Sequence, residues 1–364
     1  MKRTNFYLNA AASALFAIAM SASFQSCAIA DNPSNEDDPV VDPRIKNAEE
    51  FLAAVNAGQE LIELAPNAII TLTEPLVLTK QVEIKGVEEK EATLIVADGG
   101  ITISDNFTLN NVDINASANT KALITLNSEP TVGFFEGSEY YGIDYVKFIS
   151  ANLLDVKGSI IWDGNAKYCV KELTFENCGI ILNTESTNNQ AFVSFQAGGV
   201  KDFTFKCSTV TQRGEEENNY FLRYNNSARL DRFGFDKETM TQSINYINCT
   251  FYKVGKNGQW GNYNGFAGQK YSEWHVVNNI WVDCGNGQIS RRILGGRNAS
   301  SYNICEFANN TYWFNGTPET GNESYDASVG LDTDPAFKDI ASGDFTPTGA
   351  KQVELKTGDP FWFK

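Results

Sequence analysis

Three kinds of side chain in this sequence could do chemistry, and most of them lie in its second half. Gln259-Trp260-Gly261-Asn262-Tyr263-Asn264-Gly265-Phe266 sets three aromatic rings among Gly and Asn, with Tyr271 and Trp274 close behind. Sugars carry apolar C–H faces that stack on exposed Trp and Tyr while Asn and Gln reach hydroxyls, and exposed clustered aromatics mark binding surfaces. The densest cationic segment runs from Gln288 to Arg297 and holds Arg291, Arg292 and Arg297. A guanidinium binds a carboxylate through two parallel hydrogen bonds, which suits acidic sugars. In an alternating strand Arg291 and Arg292 would point to opposite faces, so one of them could line a groove. Arg223, Arg229, Arg232 and Lys253 lie in or beside an earlier long connection. The blander account of all these cations is ion pairing with the abundant Asp and Glu. His275, the sole histidine, could act as acid or base, but between Trp274 and Val276 it reads first as part of a wall.

Other chemistries have weaker footing. Glycoside hydrolysis needs two carboxylates held close together. Asp144, Asp155 and Asp163 fall in separate segments, and no Asp-Asp pair is flanked by strand-like runs. Asp332-Thr333-Asp334 is the one Asp-x-Asp, and Pro335 and Phe337 follow where further calcium ligands would sit. No CxxC pair accompanies the single His, which argues against zinc. No cofactor is expected, with Ca²⁺ entering only if the chain proves to be a lyase. The net charge is −16, so nucleic-acid binding is not expected.

The first residues read as an address. Lys2 and Arg3 precede an apolar run from Ala10 to Met20 and a small-residue stretch from Ser21 to Ser26. That is a signal peptide over residues 1–26, with an apolar run too short to span a bilayer. Phe24-Gln25-Ser26-Cys27 resembles a bacterial lipobox without the usual Leu three residues before the Cys. The resemblance implies acylation of Cys27 and an outer-membrane lipid anchor. Residues 27–46 then carry Asp31, Glu36, Asp37, Asp38 and Asp42 with three prolines, a tether with almost nothing to bury. The acidic run resembles the export signal of Bacteroidetes surface lipoproteins and implies display at the cell surface.

Residues 47–364 form one domain, and a repeat sets its architecture. Asn177-Cys178-Gly179-Ile180, Asn248-Cys249-Thr250-Phe251, Asn278-Asn279-Ile280-Trp281 and Asn309-Asn310-Thr311-Tyr312 share one pattern, and the last three start 30 and 31 residues apart. Asn110-Asn111-Val112 is a looser copy. Self-similarity at this period signals a solenoid. Asn accepts the left-handed backbone of a tight corner, and stacked Asn side chains can bond along the axis. From Leu61 onward, strands of three to five residues alternate with short polar breaks, leaving no room for crossover helices. Ala48–Ala57, stopped by Gly58, predicts a capping helix with Phe51, Leu52 and Val55 on one face. Cys178 and Cys249 share a repeat position and Cys207 aligns loosely with them, so an internal Cys stack is expected, with disulfides as the alternative.

Asp334-Pro335-Ala336-Phe337-Lys338-Asp339 and Gly343-Asp344-Phe345-Thr346-Pro347 resemble the closing segment of right-handed parallel β-helix proteins of the pectate-lyase-like superfamily. Gly358-Asp359-Pro360-Phe361-Trp362 resembles the end of a Bacteroidetes lipoprotein family of that fold with no assigned function, in which Arg is usual where Phe361 stands. The resemblance covers about Ala48 to Lys364 and implies an all-β right-handed parallel β-helix. Lyases of that superfamily pair a cation, often calcium, with a Lys or Arg base. The expectation is a surface lipoprotein that binds a polysaccharide, in some forms acidic or pectic, for a glycan-uptake complex. Trp260, Tyr263 and Trp274 would stack, and Arg291 or Arg292 would meet acidic groups. A uronate-specific polysaccharide lyase and an adhesin are the alternatives.

Overall fold

The computed structural model describes residues 42–134, 138–183, 191–213, 220–224, 242–255, 258–262, 272–296, 298–321, 325–326 and 331–363. The expected leader, Cys27 and most of the expected tether lie outside them. Short strands wind through three sheets in the fixed order first, second, third, and then return one level up. The first sheet has nine strands and the second ten, and the third has seven, among the described residues. Pairing within each stack is parallel until a closing antiparallel strand, Thr317–Pro318, on the second sheet. The described residues form a parallel β-helix of nine coils.

The register explains the repeat. In the first sheet, Ile62, Ile84, Leu109, Phe148, Phe175, Phe205, Tyr246 and Val276 stand one above the next, each fully buried. In the second, Ile70, Leu94, Ile114, Leu153, Ile180, Val210, Phe251, Trp281 and Tyr312 do the same. Period-two alternation sends these side chains inward and their neighbours out to solvent. The lower coils are filled with Ile, Leu and Val, and the upper ones with rings. Phe148 stacks on Phe175 at 4.7 Å, Phe175 on Phe205 at 4.5 Å, and Trp281 on Tyr312 at 5.3 Å.

The corner between the first and second sheets is left-handed in seven successive coils, at Asn111, Ser150, Asn177, Cys207, Asn248, Asn278 and Asn309, with φ from 49° to 57°. Asn309 Nδ2 donates to Asn278 Oδ1 at 3.0 Å, and Asn278 Nδ2 donates to Asn248 Oδ1 at 3.1 Å. The expected outer ladder is therefore present. A second ladder runs one residue further in. Cys249 N donates to Asn279 Oδ1 and Asn279 N to Asn310 Oδ1, at 2.9 and 3.1 Å. Asn279 Nδ2 also donates to Tyr246 O at 2.7 Å.

The Cys stack is corrected by this register. Cys207 occupies the left-handed column, level with Asn177 and Asn248, and Ser208 separates Cys178 from Cys249 in the inner one. Cys178 N donates to Ser208 Oγ at 3.0 Å. The six described cysteines are free thiols. Burial is the main cause raising Cys178's column mate Cys249 and also Cys169 and Cys284 far above the ordinary thiol range.

Helix α1, Ala48–Asn56, caps the first coil with Phe51 and Ala54 buried. Asn47 Oδ1 accepts from Glu50 N at 3.0 Å, and Glu50 Oε2 accepts from Lys46 N at 2.8 Å, so this helix start meets its own N–H groups. Leu52 is largely exposed, not on the buried face. At the other end, residues 331–363 lie flat along the outside of the second sheet rather than across the top of the solenoid. Asp359 Oδ2 accepts from Thr209 Oγ1 at 2.7 Å, and Asp359 N donates to Thr250 Oγ1 at 3.0 Å. Gln352 Nε2 donates to Thr311 Oγ1 at 3.2 Å. Phe345 packs on Tyr252 and Trp362, and Trp362 Nε1 donates to Thr209 Oγ1. Gly358 fits because a Cβ there would lie 2.8 Å from Thr250 Oγ1. No described helix is long and apolar enough to cross a membrane.

Candidate functional site

The two described rings expected on the surface are in the core. Trp260 is fully buried, stacked on Phe221 at 4.3 Å and edge-on to Phe251 at 4.9 Å and Trp281 at 5.9 Å. It enters the short third-sheet strand Gly261–Asn262, whose two residues are too few to show as a strand in sequence. Trp274 is an inward residue of the first-sheet strand Ser272–Val277 and meets Tyr302 at 5.2 Å. Neither ring can stack on a sugar. Tyr263, Phe266, Tyr271, Arg229, Arg232 and Arg297 lie outside the described residues.

Arg291 and Arg292 are not on a strand. They belong to helix α2, Ile289–Ile293, which takes the place of the third sheet in the eighth coil and packs beside Gly261–Asn262. Helical geometry sets them about 100° apart rather than on opposite faces. Arg291 is exposed, with Nη1 donating to Gln288 Oε1 at 3.4 Å. Arg292 is half-buried, and desolvation, then the neighbouring Arg291 charge, lowers its pKa.

What the solenoid does display is the outer face of the first sheet. One column there reads Thr108, Lys147, Thr174, Thr204, Asn245, His275 and Glu306 in successive coils. Its neighbour reads Tyr145, Glu172, Asp202, Ser243 and Glu273. Strand pairing spaces these side chains about 4.8 Å apart along the axis. They bond to one another: Ser243 Oγ donates to Asp202 Oδ1 at 2.9 Å, and Asn245 Nδ2 donates to Thr204 Oγ1 at 3.1 Å. Lys147 pairs with Glu172, Lys171 with Asp144, Lys201 with Asp202 and Lys206 with Glu176. Each lysine of coils four to six on this face thus meets a carboxylate, and the strip has hydroxyls and amides but little unbalanced charge until its acidic upper end.

At that end His275 turns outward. Nδ1 lies 3.1 Å from Glu306 Oε2, and Nε2 lies 3.7 Å from Glu273 Oε2. Wall placement was the first reading of this residue. It does lie in the wall, on the strand Ser272–Val277, with its side chain outward between two carboxylates because Trp274 and Val276 take the inward positions. Sequence reasoning missed the rest of the strip, since Thr, Ser and Asn at thirty-residue spacing look like ordinary strand and turn residues.

Asp163 is a fully buried carboxyl, and it serves the backbone. Its oxygens accept from Ala197 N, Gly198 N and Asn165 N at 2.7, 2.8 and 3.1 Å. Burial pushes its pKa up against the pull of those donors. Asp332 and Asp334 are both exposed: Asp332 lies 4.0 Å from Lys351, and Asp334 accepts from Ala336 N within its own turn. Among the described residues no three His, Cys, Asp or Glu side chains group to hold a metal ion.

Fold and surface together define a parallel β-helix protein whose displayed features are a polar sheet face and a laterally docked tail. Residues 69–213 match the model described as Domain of unknown function (DUF4957), and residues 244–362 match Domain of unknown function (DUF5123). Both matched stretches lie in the same stack of parallel coils. No curated protein and no solved structure matches it.

Proposed function

We propose that this chain is a lipid-anchored surface protein that binds a neutral polysaccharide along the outer face of the first sheet. The observation that supports this is the strip of Thr174, Thr204, Ser243 and Asn245, with Asp202 and Glu273 beside it, at a constant rise. A linear glycan presents hydroxyls at regular intervals, and a row of fixed donors and acceptors can meet several in register. Among the described residues the lysines of coils four to six on this face are each paired with a carboxylate, which favours a neutral chain over an acidic one. The leader-like start and the acidic run after Cys27 support anchoring through Cys27 and outer-membrane display, and a polysaccharide held there would be presented for uptake. Affinity electrophoresis through galactomannan, xyloglucan and polygalacturonate tests the reading. The wild type should be retarded by a neutral gel, and Thr204→Ala with Asn245→Ala should weaken that by about tenfold, the size of two lost hydrogen bonds. Equal retardation of both proteins rejects the site.

A uronate lyase is the second reading, favoured by His275 between Glu273 and Glu306 on the same face. Elimination would raise absorbance near about 235 nm on polygalacturonate, and His275→Ala would abolish the rise.

A further inference from the structure

Where the third sheet returns to the first before the fourth coil, the chain leaves one large ring in solvent. Phe134 is 58% exposed, although a ring of that size gains from burial. It is held in place: Phe134 and Tyr141 form an isolated antiparallel bridge, and Gly142 N donates to Gly133 O at 3.0 Å. The Phe134 ring lies 4.4 Å from the Tyr141 ring at 33°, and Tyr141 lies 6.0 Å from buried Tyr168. Tyr168 in turn donates to Asn127 O at 2.9 Å, so this aromatic support rests on the core. A cavity of about 500 Å³ opens beside the pair, edged by Ser128, Ser138, Glu139 and Lys167. That is within the usual range for a small-ligand site. Lys167 Nζ and Glu139 Oε2 are 3.1 Å apart, so the rim is hydrogen-bonding but charge-balanced.

We infer that this cavity is a subsite for one neutral hexopyranose unit, stacked by its apolar face on Phe134 and hydrogen-bonded at the rim by Ser128, Ser138, Glu139 and Lys167. The inference rests on the polysaccharide-binding reading and extends it, because Tyr145 begins the polar strip four residues on, about 13 Å along a strand. An apolar partner would gain nothing from the paired rim, and a rim whose Lys167 is already paired with Glu139 offers a uronate no net cation.

Saturation-transfer NMR with methyl glucoside, methyl galactoside and methyl mannoside tests it directly, with methyl glucuronoside as the charged control. The wild type should transfer saturation to the ring protons of at least one neutral glycoside. Phe134→Ala should cut that transfer by about fivefold, as expected for one lost stacking contact, while Phe134→Trp should keep it. Circular dichroism of each variant confirms folding. Undiminished transfer in Phe134→Ala, no transfer from the wild type to any neutral glycoside, or stronger transfer to the glucuronoside overturns the subsite. Retardation by neutral gels reports on the strip separately. A retarded wild type with an indifferent Phe134→Ala leaves the strip standing and removes the subsite. An unretarded wild type whose monosaccharide signal is lost in Phe134→Ala does the reverse.

Discussion

Asn278 and Asn279 sit side by side at one corner and hold it in different ways. Asn278 takes the left-handed backbone and bonds to its equivalents above and below. Asn279 is buried and satisfies backbone groups of neighbouring coils. Asn279→Ala leaves a buried N–H and a buried C=O without partners and should cost about 2–4 kcal/mol in urea denaturation. Asn278→Val keeps the chain polar elsewhere but forces a β-branched residue to positive φ, at about 1–3 kcal/mol. The left-handed column was readable because few residues besides Gly and Asn tolerate that backbone. Its exceptions, Ser150 and Cys207, were not, and misplacing Cys207 produced a cysteine stack where Ser208 stands. The buried thiols should resist iodoacetamide at pH 8 in the folded protein, and Cys169, Cys178, Cys249 and Cys284 should all react in urea without reductant. Asp163 gives a pH test. Its carboxyl is raised in the fold, so the folded state holds the proton longer than the unfolded one. Its contribution to stability is fully present below the ordinary carboxylate pKa and declines as pH rises through the folded value. The wild-type stability minus that of Asp163→Asn should therefore fall from about pH 4 upward, and a difference that rises with pH would contradict the assignment.

At the scale of elements, strands of two to four residues are enough because every one lies in a stack. That economy also limited what sequence could reveal. The capping helix was visible from its formers and from Gly58, and the observed Ala48–Asn56 differs by one residue. The strand Gly261–Asn262 carries no strand signal, so Trp260 looked like a loop ring, when it is a wedge between Phe221 and Phe251. Trp260→Ala should cost about 3–5 kcal/mol in thermal or urea unfolding, as expected for an emptied core position. Any loss of glycan affinity should then track unfolding rather than contact. Arg291 and Arg292 fell on a helix because Ile289, Ser290 and Ile293 supply its buried face, and a five-residue helix within strand-rich text has no period to detect. The polar strip could not be found at all from one sequence, since its members meet only after the coils are stacked.

For the molecule as a whole, each coil touches mainly the coil before and after it, so stability should build up locally. The tail changes this for the upper coils. Asp359 and Gln352 reach Thr209, Thr250 and Thr311 from outside, on the sixth, seventh and ninth levels. Removing residues 331–363 should leave the lower coils protected in hydrogen exchange while protection of strands from Gly199 upward drops by about tenfold or more. Equal protection across both halves would show that the tail adds nothing. The same side-on grip has a mechanical meaning. A pull on the C-terminal segment loads several rungs in shear at once instead of peeling them singly, so the solenoid should resist tearing from that side more than from its first coil.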